Sequence, residues 1–561
     1  MYLLIDLCVG GFFLKRTLSK LLSGVMVAAM MLGGMQTDVF AARQNEDYSD
    51  FIRGADVSML NEIEELGGRF YDNGTKKDAL TILNSHGSNY VRLRLWVDPY
   101  DENGNSYGGG ENDFETTLAM AKRAKALGMK VLIDFHLSDY WADPGTQSKP
   151  KAWANLSYEE LKTTLYQYMK DTMNDFKNNG IIPDMVQVGN ETSSGILWDD
   201  GKVGGDITDF TQLSELLYQA INGVRDAVGD QTKIVLHLDN GGSNSLYRWW
   251  FDGVTSCGYI LDFDIIGLTY YPMWHGTMDD LQYNLNDISE RYDKDVMIVE
   301  TAYAFTLEDG DGLGSSFSST DEAIGGYEAS VEGQTAFMND LEAVLLNVPE
   351  NRGLGFFYWA PEWIPVEGAY WGTEAGKEYI DDDGILSNPW DNLALFDFNG
   401  NALDSMSMFE APSKNLIQNS GFESDGYTNT PSNWNLWFAD GTAESTIKTE
   451  GNAFDGDYKL TFWSENDYSC SAYQTLTGLE DGTYTLTAWV MTNAEQDICQ
   501  LYAKNYGGDE VNQTLPISDI GWNKVVLDNI KVTNGQCEVG IYTVANGGDW
   551  CNIDHVSFRK K

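Results

Sequence analysis

Between residues 50 and 410 the chain alternates short β-branched runs with helical stretches, and this alternation limits the folds open to it. Eight strand-like runs stand out, at 51–58, 90–95, 130–136, 185–191, 233–239, 263–271, 296–302 and 354–359. Several intervening stretches have helical periodicity. In 113–127, Phe114, Leu118, Ala121 and Ala124 share one face and Gly128 supplies a stop; 158–178 and 211–228 read the same way. Strand and helix alternating eight times over about 310 residues predicts a (β/α)8 barrel. A doubly wound sheet is the competing architecture, but no Gly-rich phosphate loop follows the first strand.

The pattern changes near Pro412-Ser413-Lys414. Residues 415–561 carry alternating runs at 483–490, 524–527, 539–542 and 553–558, separated by Gly, Asn and Asp turns, which predicts an all-β sandwich. Residues 1–42 read as an export signal. Lys15, Arg16 and Lys20 precede an apolar run at 21–32, and Val39-Phe40-Ala41 supplies a small-x-small cleavage pattern after Ala41 or Ala42. The predicted organisation is therefore a signal at 1–42, a barrel at 43–411 and a sandwich at 415–561, with the mature chain secreted and monomeric. Cys470, Cys499, Cys537 and Cys551 fall in the last 100 residues without the CxxC spacing of a zinc site. Four Cys allow three pairings, and spacing does not choose among them.

Charge narrows the partners. There are 36 Lys and Arg against 85 Asp and Glu, a formal net charge of −49. Such a surface repels phosphate backbones, anionic lipid and acidic polysaccharides, which argues against nucleic-acid and membrane roles. A neutral polysaccharide remains compatible. The 17 Trp and 30 Tyr suit stacking against sugar rings.

In a parallel barrel, chemistry sits at the carboxyl ends of the strands. The fourth run ends Gln187-Val188-Gly189-Asn190-Glu191 and the seventh ends Met297-Ile298-Val299-Glu300. Strands 4 and 7 lie on opposite walls, so the two Glu residues face one another across the mouth. Glycoside hydrolysis needs such a pair, one carboxyl protonated and one ionised; a gap of about 5–5.5 Å implies retention of configuration. Asn190 is suited to hydrogen-bonding a sugar 2-hydroxyl. Arg92 and Arg94 share one face of strand 2, which sets a hold on the nucleophile against a structural ion pair. His136 and His237 lie near the ends of strands 3 and 5; with no third metal ligand apparent, hydrogen bonding to sugar or to a catalytic Glu is preferred, against a core role for His237. Trp141, Trp198, Tyr271, Trp274, Trp359 and Trp363 follow strands and are expected to line sugar subsites.

At these residues the chain resembles glycoside hydrolase family 53. The resemblance is carried by Gly54-Ala55-Asp56-Val57-Ser58, Val91-Arg92-Leu93-Arg94-Leu95-Trp96, Asp134-Phe135-His136-Leu137-Ser138-Asp139, Trp141-Ala142-Asp143-Pro144-Gly145, Val188-Gly189-Asn190-Glu191-Thr192, Gly195-Ile196-Leu197-Trp198 and Glu300-Thr301-Ala302-Tyr303. It implies an arabinogalactan endo-β-1,4-galactanase acting with retention, Glu191 as acid/base and Glu300 as nucleophile. Leu137 stands where the family usually has an aromatic residue. The substrate-contacting set expected is Arg94, His136, Asp139, Trp141, Asn190, His237, Tyr271, Trp274 and Trp359. Mannan, xylan or glucan as substrate, or a non-catalytic sugar-binding protein, are the alternatives.

Glu308-Asp309-Gly310-Asp311-Gly312 follows strand 7, and alternating Asp on a Gly-bent loop offers hard oxygens to one side. The resemblance implies a structural Ca2+ here, held by Asp309, Asp311, Leu313 and Ser315 and closed by Asn388 and Asp391. A solvated acidic loop is the alternative in so acidic a chain. Asn415-Leu416-Ile417-Gln418-Asn419-Ser420-Gly421-Phe422-Glu423 resembles the opening strand of galactose-binding-like sandwiches, which implies a carbohydrate-binding module of the family 61 type. Trp434, Trp437, Trp463, Tyr473, Trp489 and Trp550 are its candidates for stacking.

Overall fold

The computed structural model describes residues 48–380, 385–454, 456–494 and 496–561. The expected export signal lies outside them. Eight parallel strands close into a barrel in chain order: β1 Ile52–Asp56, β2 Tyr90–Leu95, β3 Lys130–Phe135, β4 Met185–Val188, β5 Lys233–Leu238, β6 Ile265–Thr269, β7 Asp295–Thr301 and β8 Gly353–Trp359. The doubly wound alternative is excluded by that closure. The interior is layered. Ile52, Tyr90, Leu132, Met185, Val235, Ile265, Met297, Val299 and Phe357 pack a dry lower core. One pleat higher the inward positions turn polar: Asp56, Arg92, Asp134, Gln187, His237 and Thr269 are all buried.

Helices cover the outside. They include α1 Leu60–Glu65, α2 Ala79–Ser85, α3 Phe114–Ala126, α4 Tyr158–Asn178, α5 Thr211–Val228, α6 Asn244–Ser256, α7 Met278–Tyr292, α8 Ser319–Gly325 and α9 Val331–Leu346. The start of α4 is set by a reciprocal capping box, Ser157 with Glu160, and α3 starts where Asp113 accepts the Thr116 N–H. Among the described residues no helix is long and apolar enough to cross a membrane.

After the barrel, two five-stranded antiparallel sheets enclose a core that includes Phe422, Leu460, Leu486, Leu501, Ile541 and Phe558. The expected opening strand at 415 is not a strand. Leu416 N–H donates to Phe558 O and Asn415 Nδ2 to Val556 O, so the segment is pinned beside the last strand without joining a sheet. Cys470, Cys499, Cys537 and Cys551 are buried free thiols. Trp434 and Trp489 belong to the interior, while Trp437 (46% exposed) and Trp463 (37%) face solvent.

Candidate active site

Two local distortions bring the carboxylates into the mouth. β4 ends at Val188, three residues before the expected Glu191. Gly189 (φ +82) and Glu191 itself (φ 46) then turn the chain through left-handed conformations. A Cβ on Gly189 would lie 2.5 Å from Thr192 Cγ2, so both backbone and packing require glycine there. On β7, Leu268 pairs with Ile298 but Thr269 pairs with Glu300, which makes Val299 an extra residue. Val299 fills the lower core. Simple alternation would send Glu300 outward; the bulge re-aims it into the mouth.

The two Glu residues have unlike partners. Arg92, which is fully buried, is the hub on the Glu300 side. Its Nη1 donates to Asp56 Oδ2 (2.7 Å) and Glu300 Oε2 (3.4 Å), its Nη2 to Asp134 Oδ2 (2.8 Å) and Asn190 Oδ1 (2.7 Å), and its Nε to Gln187 Oε1 (3.3 Å). The Tyr271 hydroxyl donates to Glu300 Oε1 at 3.0 Å. Burial raises the Glu300 pKa, and Arg92 and the Tyr271 hydroxyl oppose the rise.

Glu191 meets neutral groups. Its N–H donates to His237 Nδ1 (3.2 Å), which fixes the His237 proton on Nε2. His237 Nε2 lies 2.8 Å from Thr269 Oγ1, and Thr269 Oγ1 donates to Glu191 Oε1 at 2.7 Å. The result is a closed ring from the Glu191 backbone through His237 and Thr269 to the Glu191 carboxyl. Burial, with Arg92 and His136 nearby, drives the His237 pKa well down and keeps the ring neutral. Burial, then the charges of Glu300 and Asp239, raise the Glu191 pKa well above the carboxylate range, against the Thr269 hydrogen bond. The environment therefore holds a proton on Glu191 and favours the anion at Glu300.

The other expected residues divide between contact and support. Asn190 Nδ2 donates to Ala142 O, so Asn190 is braced between that carbonyl and Arg92. His136 accepts the Ala142 N–H on Nδ1, and its Nε2 lies 3.1 Å from Asp134 Oδ2. Arg94 is buried with its guanidinium 4.0 Å from the Trp141 ring centre, and its Nη2 donates to Gly109 O, so it supports Trp141 from behind. Asp139 is fully buried and accepts the N–H groups of Asp98 and Lys151, which ties two loops together. Trp274 is 44% exposed.

Trp359 and Trp141 lie under a wider aromatic sector. Trp141 stacks on Trp371 (4.3 Å between centres, 16°), Trp363 stacks on Trp371 (5.7 Å, 16°), and Trp390 meets Trp359 edge-on at 4.7 Å. Trp371, Trp390, Thr269, Gln187, Asp56 and Asp134 were absent from the expected set. Asp56 and Asp134 were findable as acids one pleat from Arg92; Thr269 and Trp371 carry no sequence signal beyond residue type.

Beyond β7, Asp309, Asp311 and Asp391 each bring a carboxylate oxygen within 4.8 Å of the others. Burial, with the charges of Asp311 and Asp309 added, pushes Asp391 up to about 6. Ser315 Oγ lies 3.5 Å from Asp391 Oδ1, and Leu313 N–H donates to Asp311 Oδ1. The Asn388 side chain is engaged elsewhere, with Trp390 N–H and Trp363 O, while its backbone N–H reaches Asp311. Three converging carboxylates fit a hard cation.

A closed (β/α)8 barrel with two carboxylates of unlike proton affinity at its carboxyl-end mouth defines a glycoside hydrolase. The family profile described as Glycosyl hydrolase family 53 matches residues 52–409, and the chain belongs to this family. An endo-beta-1,4-galactanase of Bacillus subtilis (strain 168) is 39% identical over 395 residues, covering 66% of this chain and 88% of the relative. Arabinogalactan endo-beta-1,4-galactanase A of Aspergillus niger is 36% identical over 346 residues, covering 60% of this chain and 92% of the relative. Among solved structures, the Ignisphaera aggregans GH53 catalytic domain aligns with a TM-score of 0.60 at 46% identity, covering 65% of this chain and 96% of that one.

Proposed function

We propose that this protein hydrolyses β-1,4-galactosidic linkages inside galactan chains with retention of configuration. The observation that carries the reading is the unequal environment of the two mouth carboxylates, neutral donors at Glu191 and the Arg92 cation at Glu300. The activity named for the Bacillus and Aspergillus relatives supports the choice of polymer. Glu300 attacks the anomeric carbon while Glu191 protonates the departing oxygen, leaving a glycosyl ester on Glu300. Glu191, now ionised, takes a proton from water, and that water cleaves the ester and restores both groups. Arg92 and Tyr271 hold the Glu300 anion, and Thr269 and His237 orient the Glu191 carboxyl.

The test is incubation of the protein with linear β-1,4-galactan and sizing of the products over time. Mixed short galacto-oligosaccharides appearing early support the reading; products confined to xylan, mannan or glucan overturn it.

Asp309, Asp311 and Asp391, with Ser315 beside them, are the residues that would hold Ca2+. The ion would offset the mutual repulsion of three crowded carboxylates and order the loop after β7, with no part in bond cleavage. A chelator is expected to lower the melting temperature and added Ca2+ to restore it; a melting temperature indifferent to both overturns the site. The sandwich is read as a galactan-binding module, with exposed Trp437 and Trp463 as stacking residues. Trp437→Ala is expected to reduce retention on insoluble galactan. The basic and apolar pattern of residues 1–42 supports secretion.

A further inference from the structure

A carboxyl group that the proposed chemistry does not use lies behind the aromatic sector. Glu362, three residues beyond the end of β8, is fully buried. Its Oε1 accepts the Met59 N–H at 3.1 Å. Its Oε2 is buried without a hydrogen-bond partner among the described residues, and an unpaired buried oxygen costs stability. Burial drives the Glu362 pKa well up; Asp56 adds to the rise, and Arg94 and the Met59 N–H oppose it. An acid so perturbed at the mouth of a barrel is a candidate for a part in function.

Contacts lead from Glu362 through four segments and back to it. Met59 belongs to the loop after β1, and its Sδ accepts from Arg94 Nη2 at 3.3 Å. The Arg94 guanidinium lies against the Trp141 ring, 4.0 Å from its centre. Trp141 Nε1 donates to Trp371 O, and the two indoles stack. Trp371 stacks in turn on Trp363, the chain neighbour of Glu362. Ile364 N–H donates to Glu362 O and Trp363 Nε1 to Ala369 O, which fixes the returning segment. Trp363 is fully buried, Trp141 nearly so, and Trp371 half-buried, so Trp371 is the outer ring of the stack.

The circuit has little slack. Gly109, whose carbonyl takes a second bond from Arg94 Nη2, has φ +65, and a Cβ there would lie 2.9 Å from Trp141 Nε1. Arg94 Nε and Nη1 have no hydrogen-bond partner among the described residues, and Asp56 Oδ1 stands 4.0 Å from Nη1. The guanidinium is therefore held by Gly109 O on one side and Met59 Sδ on the other. A thioether is a weak acceptor, so its placement matters more than its strength. The Glu362 carboxyl anchors the Met59 backbone that places it.

We propose that Glu362 is a positioning residue for the Trp141–Trp371 surface, acting through Met59 and Arg94 and not on the substrate. This inference rests on the hydrolase reading above, in which that surface stacks against sugar rings. Stacking depends on the tilt and height of a ring, whereas bond cleavage at Glu191 and Glu300 does not pass through Glu362. Loss of the tie weakens substrate binding and leaves turnover of the bound complex unaltered.

The test uses the full chain and two variants, Glu362→Ala and Glu362→Gln, on linear β-1,4-galactan. Alanine removes the acceptor for Met59, and KM is expected to rise about tenfold with kcat within about twofold of the parent. Glutamine keeps an oxygen for Met59 and matches the neutral acid, so KM is expected to return to within about twofold of the parent. Near-ultraviolet circular dichroism of the sugar-free protein reads the stacked indoles; it is expected to change in Glu362→Ala and to match the parent in Glu362→Gln. Should Glu362→Ala not fold, Glu362→Asp, which withdraws the carboxyl by one methylene, carries the same expectation. An unchanged KM, a fall in kcat alone, an unchanged dichroism, or a glutamine variant as impaired as the alanine one overturns the inference and leaves the hydrolase reading intact. A parent protein inactive on galactan overturns the hydrolase reading itself, and the dichroism still tests the tie from Glu362 to the indoles.

Discussion

Glu300 and Glu191 are the same chemical group at the same level of the same barrel, yet their walls are built in opposite ways. The Glu300 wall is ionic: Arg92 reaches Glu300 and two further buried acids, Asp56 and Asp134. The Glu191 wall is neutral: Thr269 and His237 are linked in a ring that carries no net charge. Burial raises both pKa values, and only the Glu300 wall includes a cation to oppose it. On the proposed mechanism, the division between acid and nucleophile is made by residues that need not touch the substrate at all. It also accounts for the density of the Arg92 cluster. A guanidinium shared among three carboxylates and two amides is fully satisfied despite its burial, which is the condition under which a buried charge is tolerated.

The sharpest way to break the comparison is to remove one carboxylate at a time. Glu300→Gln is expected to lower kcat on galactan by roughly 10⁴-fold or more, since no other group is placed to attack. Glu191→Ala is expected to cost about 10²–10⁴-fold on galactan, and far less on an aryl glycoside whose leaving group needs no proton. Equal losses on both substrates would remove Glu191 from the acid role.

Altering the walls sharpens the comparison further. Arg92→Met leaves Asp56, Asp134 and Glu300 facing one another, and a loss of about 3–5 kcal/mol in denaturant unfolding is expected. The cation favours the Glu300 anion, so its removal raises the Glu300 pKa. Activity requires that anion, so the acidic limb of the kcat/KM profile moves to higher pH. Thr269→Val is the mildest change. It removes one hydrogen bond to the Glu191 carboxyl, and a loss of about tenfold in kcat is expected. That bond favours ionised Glu191, so without it the Glu191 pKa rises and the alkaline limb also moves to higher pH. An alkaline limb that stays in place would mean the Thr269 hydroxyl does not govern the acid.

The same contrast marks what could be read from the sequence. The eight strands were legible because buried parallel strands are apolar runs with short boundaries. Glu191 and Glu300 were legible because each closes such a run. How each side chain enters the mouth was not. Alternation along β7 points Glu300 outward, and only the bulge at Val299 reverses it. Glu191 was expected on a strand and sits on a left-handed turn. Arg92 and Arg94 look equivalent in the sequence, two positions apart on one face. Their roles separate because Asp134 and Glu300 flank one while indole rings flank the other. Thr269 and Trp371 escaped notice because their roles depend on contacts from distant segments. In the acidic loop, Asp309 and Asp311 were legible as a pair, and the fold brings Asp391 to them across 80 residues.

The most direct measurement is to trap the intermediate. The protein is incubated with a 2-deoxy-2-fluoro-galactobiosyl fluoride, digested, and the labelled peptide sequenced by mass spectrometry. A stable sugar ester is expected on Glu300 and none on Glu191. An ester on Glu191, or an active protein that yields inverted product and never carries label, would contradict it.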